Sequence, residues 1–85
     1  MTRKEITIQL PHGLEARPVA MLVQVASQCE SEIHVESAGR NVNAKSIMGM
    51  MTLGLAAGET VVVTANGKEE EEAISKIEKY LSAAE

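Results

Sequence analysis

Ser46 stands at the head of an unusual run, Asn43-Ala44-Lys45-Ser46-Ile47-Met48-Gly49-Met50-Met51, in which three of the chain's five methionines occupy four positions. A serine directly before an apolar run is a helix N-cap signal. A short helix opening there leaves backbone N–H groups and positive dipole charge at its start. Lys45 adds a full positive charge beside them, and such a helix start suits a phosphate. Taken alone, the commoner case is a serine that only caps a short helix whose Ile and Met side chains fill the core.

A second stretch, Gly13-Leu14-Glu15-Ala16-Arg17-Pro18, places a carboxylate and a guanidinium at the start of another helix. Arg17 can grip a phosphate bidentately, or simply pair with Glu15 on the surface. The other polar residues point to simpler roles. His12 lies in a Pro-Gly loop and His34 on the polar face of a strand, so both read as surface histidines. The Glu69–Glu72 run has no Gly-containing, Asp-rich loop around it and reads as a solvated helix start, not a calcium site. No metal or cofactor site is expected. Cys29, the single cysteine, cannot form an intrachain disulfide or a CxxC pair and reads as a core thiol.

Composition narrows the partners. Tyr80 is the only aromatic residue, which leaves no platform for stacking bases or sugars. A net charge of −4 with eight scattered basic residues argues against nucleic acid and anionic membranes, leaving proteins and small molecules. The polar start Thr2-Arg3-Lys4-Glu5 is not a secretory signal, and no apolar run approaches the ~20 residues of a membrane span. The chain reads as cytoplasmic. Its 85 residues suit one domain over 1–85, able to bury about 60% of its extended surface in an aliphatic core.

The elements that must position these residues follow from periodicity. Alternation of Ile6, Ile8 and Leu10 predicts a strand over 6–10, ended by Pro11-His12-Gly13. Pro18 suits the first turn of a helix over 16–28, with Val19, Leu22, Val23 and Ala26 as its core stripe and Ala20, Gln24 and Ser27 to one side. Strands over 32–36 and 40–43 form a hairpin through Ser37-Ala38-Gly39. A short helix runs over 47–53 to Gly54, burying Met50 and Leu53, while an exposed Met48 is costly unless a partner covers it. The continuous Val61-Val62-Val63 predicts a central strand over 60–65, closed by Asn66-Gly67. A last helix over 69–83 buries Ala73, Ile74, Ile77 and Leu81 and pairs Glu72 with Lys76. The order β-α-β-β-α-β-α gives an α+β open-faced sandwich, a four-stranded antiparallel sheet with three helices on one face. Its short first strand, at an edge, could allow exchange between chains.

Element order and the two motifs together resemble the HPr family, the small phosphocarrier proteins of the bacterial sugar phosphotransferase system. Gly13-Leu14-x-Ala16-Arg17-Pro18 is similar to the family's active-site motif and Asn43-x-Lys45-Ser46-Ile47-Met48-Gly49 to its regulatory-serine motif. The resemblance implies a histidine that takes phosphate from enzyme I, and at that position this chain has Glu15. Among family members it is most like the catabolite-repression, Crh-type proteins. These lack the histidine and keep the serine that HPr kinase/phosphorylase modifies. The resemblance thus implies a non-enzymatic protein phosphorylated on Ser46 and acting as corepressor for catabolite control protein A, a LacI-type regulator. It further implies anion contacts from Arg17 and Lys45 and a partner surface of Arg17, Ala20, Gln24, Ile47, Met48 and Met51. Two alternatives stay open: a phosphocarrier HPr working with enzyme I and other phosphotransferase proteins, and a laboratory variant of one. Glu15 imitating the charge of phosphohistidine is a further option.

Overall fold

Alternation along the strands and a 3.6-residue period along the helices place their apolar residues on one shared interior. The computed structural model describes residues 1–9, 16–53 and 57–82, with backbone only at 16–18. Its elements are β1 (Thr2–Thr7), α1 (Ala16–Ser27), β2 (Glu32–Ser37), β3 (Arg40–Asn43), α2 (Ile47–Met51), β4 (Thr60–Asn66) and α3 (Glu70–Leu81). All strands pair antiparallel in the order β1-β4-β2-β3. The inward residues Ile6, Ile33, Val35, Val61, Val63 and Ala65 meet Val19, Leu22 and Ala26 of α1 and Ala73, Ile74, Ile77 and Leu81 of α3 in one core. Cys29 is buried in it as a free thiol.

β1 begins and ends earlier than the alternation of Ile6, Ile8 and Leu10 predicts, running over Thr2–Thr7. Thr2 and Lys4 share the inward parity of Ile6, which hides the strand from a hydrophobic pattern. At this sheet edge their polar ends reach past the core. Thr2 Oγ1 donates to Glu70 Oε2 at 2.6 Å, and Lys4 Nζ pairs with Glu78 Oε2 at 2.7 Å, both across to α3. Ile8 remains buried beyond the strand, with its N–H on the Glu59 carbonyl at 2.8 Å, while Leu10 lies outside the described residues.

The other boundaries move by a residue or two. α1 ends at Ser27, not Gln28, β2 runs on to Ser37 and β4 to Asn66. α2 stops at Met51 because the Thr52 and Leu53 N–H groups fold back to the Gly49 and Met50 carbonyls, tightening the last turn. Leu53 still packs against the core, and Gly54 lies outside the described residues. Glu69 is the N-cap of α3, not its first residue, with a left-handed φ of 63°, and α3 ends at Leu81 with Ser82 as its cap. The expected end at Ala83 lies outside the described residues. The ion pairs among the described residues are Met1 amino to Glu70, Lys4 to Glu78 and Lys68 to Glu30, and Glu72 to Lys76 is not among them. Both of those side chains are exposed, where such a pair gains little.

The β2–β3 hairpin turns on two residues, Ala38 and Gly39, with φ of 51° and 81°. Positive φ at both centres is the type I′ arrangement that matches strand twist, and it favours Asn-Gly. Ala38 therefore holds its Cβ in a costly conformation. Replacing it, Ala38→Asn, is expected to raise stability by on the order of 1 kcal/mol. Urea unfolding with an unchanged slope checks this, and an unmoved midpoint contradicts it.

Glu70 supplies a pH test. Its carboxylate accepts from the Thr2 hydroxyl, the Met1 amino group and the Gly67 N–H, and these bonds lower its pKa from 4.5 to about 2. A folded-state pKa below the unfolded one gives stability that is complete above about pH 4.5 and is lost as pH falls towards 2. Glu70→Gln is expected to flatten the stability profile in that window and leave its shape above pH 5 unchanged, as acid titrations of both proteins would show.

Candidate functional site

The chain reaches Ser46 through a turn built by Asn43. The Asn43 side-chain oxygen accepts from the Lys45 N–H at 2.8 Å, and its carbonyl accepts from the Ser46 N–H at 3.0 Å. A short amide that bonds the backbone two residues on is what makes Asn a turn former. Ser46 then sits in extended backbone, φ −107° and ψ 115°, as the N-cap of α2. Its Oγ accepts the Gly49 N–H at 3.1 Å, and the Met50 N–H closes on its carbonyl at 3.0 Å. Gly49 matters here because a Cβ at that position would stand 3.3 Å from Ser46 Oγ and 3.5 Å from Val42 Cβ. Any larger residue would press on the hydroxyl.

The cap leaves the hydroxyl chemically usable. Ser46 Oγ accepts in this bond, so its own proton can be taken by an external base, and a lone pair remains for attack on a phosphoryl group. The side chain is half-buried.

α2 divides its residues sharply. Met50 is fully buried, whereas Met48 is 82% exposed, Met51 51% and Ile47 48%. Three large apolar side chains of a five-residue helix thus face solvent together. α1 packs against α2 and carries the half-buried Ala20 and the exposed Gln24. Met21, which the sequence reading leaves out, is also exposed. It lies four residues after Arg17 and three before Gln24, on their helix face, and that spacing is the signal that could have found it.

Lys45 adjoins Ser46 in the chain, and its side chain is engaged with α1. Its ammonium donates to the Cys29 carbonyl at 2.7 Å, just past the end of α1. α1 has no basic residue in its last turn, so Lys45 supplies from another element the cation that a helix C-terminus favours. Arg40 does the same for α2: its Nη1 donates to the Thr52 carbonyl at 2.7 Å, tying the hairpin to the helix exit. Nothing in the local sequence signals that contact, since it spans twelve residues between separate elements.

His34 is half-buried on β2, opposite Asn43 and Thr64. No cluster of three or more His, Cys, Asp or Glu side chains able to hold a metal occurs among the described residues. Among the same residues no helix is long and apolar enough to cross a membrane. His12, Gly13, Leu14 and Glu15 lie outside the described residues, and Arg17 is placed by its backbone alone, in the first turn of α1.

Removing the cap tests its structural share. Ser46→Ala is expected to lose about 1 kcal/mol of stability, while Ser46→Asp, another strong cap former, stays within a few tenths. Equal losses in urea unfolding would contradict the cap geometry.

Comparison with known proteins agrees with this architecture. A family model described as the PTS HPr component phosphorylation site matches residues 2–83. Over 77 residues the chain is 43% identical to the HPr-like protein Crh of Halalkalibacterium halodurans, covering 91% of this chain and 92% of that one. Over 81 residues it is 41% identical to the HPr-like protein Crh of Bacillus subtilis, covering 95% of each. Among solved structures it is similar to a phosphocarrier protein HPr from Bacillus anthracis, with a TM-score of 0.92 and 39% identity over 94% of this chain and 95% of that one. Sheet order, helix placement and these matches over nearly the whole length lead to one conclusion: the chain belongs to the HPr family, whose members carry phosphate or regulate and are not enzymes.

Proposed function

We propose that this chain is a regulatory phosphoprotein, a single cytoplasmic HPr-like domain over 1–85 that needs no cofactor. HPr kinase/phosphorylase phosphorylates Ser46, and the phosphoprotein acts as corepressor for catabolite control protein A. The observation that carries this reading is the pairing of a half-buried cap hydroxyl at Ser46, accepting from Gly49 N–H, with exposed Ile47, Met48 and Met51 on the helix that it starts.

Phosphorylation would add about −1.5 to −2 charge and three acceptor oxygens at this helix start. The Gly49 N–H can keep its bond to the modified side chain, and neighbouring N–H groups of the first turn gain an acceptor. Lys45 then has a choice between the neutral Cys29 carbonyl and a dianion one residue away. The ammonium makes either bond charge-assisted, but only the phosphate adds a full opposite charge, so the phosphate wins. Arg17 completes the anion contacts, and a partner covers Ala20, Gln24, Ile47, Met48 and Met51 while meeting the new charge.

Glu15 supports the regulatory role over phosphate transfer. An imidazole nitrogen attacks a phosphoryl donor and holds the phosphate at high transfer potential. A carboxylate already carries the charge that repels the incoming group, and its product would be an acyl phosphate. The phosphocarrier reading is kept beside this one because the Bacillus anthracis relative is a phosphocarrier HPr.

Parallel labelling separates the two. HPr kinase with ATP is expected to add one phosphate to the wild-type chain and none to Ser46→Ala; no incorporation into the wild type sinks the regulatory reading. Phosphoenolpyruvate with enzyme I is expected to give no acid-labile label, and Glu15→His to gain one. Strong labelling of the unaltered chain by enzyme I would favour the phosphocarrier.

A further inference from the structure

We propose that Met48 and Met51 are a reversible oxidation site, at which hydrogen peroxide converts the surface next to Ser46 from apolar to polar and weakens its recognition by partners. The consequence for partners rests on the regulatory reading above; the selectivity of the oxidation does not.

The geometry points to these two sulfurs. α2 holds three methionines within four residues, and the fold sorts them by access: Met48 and Met51 face solvent while Met50 is sealed in the core. The thiol of Cys29, a competing target, is buried, and the sequence has no tryptophan. The other exposed methionines, Met1 and Met21, lie outside α2 and are separated from its two sulfurs by substitution. Thiolate character and exposure decide which sulfur reacts. In the reaction the thioether sulfur attacks one peroxide oxygen. An S–O bond forms as the O–O bond breaks, sulfur gives up two electrons, and the other oxygen leaves as hydroxide and takes a proton to become water. A thiol-dependent methionine sulfoxide reductase reverses the change.

The effect on the surface is large because the patch is small. A sulfoxide is polar, chiral and a strong acceptor where the thioether was flexible and apolar. Two of them would leave Ile47 as the one unmodified large apolar side chain exposed on α2. Met50, being buried, keeps the helix seated, so oxidation alters the surface and leaves the fold intact.

The test uses the full chain. After brief treatment with dilute hydrogen peroxide, peptide mass mapping is expected to find one added oxygen on each of Met48 and Met51, as on the exposed Met1 and Met21, with Met50 reacting at least about tenfold more slowly. Equal rates at Met50 overturn the proposal without any partner being present. The Ser46-phosphorylated chain is then titrated with catabolite control protein A. Binding is expected to weaken by about tenfold or more on oxidation and to recover after reductase treatment. In a Met21→Leu background, the double variant Met48→Leu/Met51→Leu, close in volume and shape, is expected to bind alike before and after peroxide, while Met21→Leu alone stays sensitive. Undiminished binding of the oxidised wild type, or a double variant that stays sensitive, also overturns it. Failure of the untreated phosphoprotein to bind would instead count against the regulatory reading, with the mapping result standing on its own.

Discussion

A helix of five residues cannot hold itself together in water, because nucleation costs more than so few hydrogen bonds return. α2 exists only because its surroundings fix both ends and its middle. The Ser46 hydroxyl meets the Gly49 N–H at one end; Arg40 and the Thr52 side chain meet the last carbonyls at the other; Met50 plugs the centre into the core. The cap contributes about 1 kcal/mol, whereas truncating a buried methionine typically costs 2–5. Met50 therefore carries most of the anchoring. That division lets Ser46 be chemically altered without the helix coming loose, and it leaves the remaining apolar side chains of α2 on the surface.

The rest of the fold serves this small element. The hairpin of β2 and β3 delivers the chain to Asn43, whose turn aims Ser46, and Arg40 on the same hairpin holds the helix exit. α1 packs beside α2 and receives at its C-terminal end the ammonium of Lys45, the residue before Ser46 in the chain. A charge placed on Ser46 would compete for that cation and so be felt at α1. Such coupling needs no motion of the sheet, which is fixed by its aliphatic interior and by the side-chain clamps from β1 to α3.

Most of the architecture is legible in the sequence because its core is aliphatic and its periods are clean. Val19, Leu22 and Ala26, or Ile74, Ile77 and Leu81, can only be helix stripes, and Val61 to Val63 can only be a central strand. β1 was harder to read because its inward Thr2 and Lys4 bond to Glu70 and Glu78, contacts almost a whole chain length away. The site was legible where it is local. Ser46 as a cap, Met50 as core and Met48 as surface all follow from a few adjacent residues. Lys45 on the Cys29 carbonyl and Arg40 on the Thr52 carbonyl were not, since each joins elements that only folding brings together.

The central claim is that a phosphate written on Ser46 is read together with the exposed side chains of Ile47, Met48 and Met51. Calorimetric titration of catabolite control protein A with the chain before and after stoichiometric phosphorylation of Ser46 tests it most directly. The account predicts binding by the phosphorylated chain and little or none by the unmodified one. Equal affinity of the two forms, or no binding by either, would contradict it.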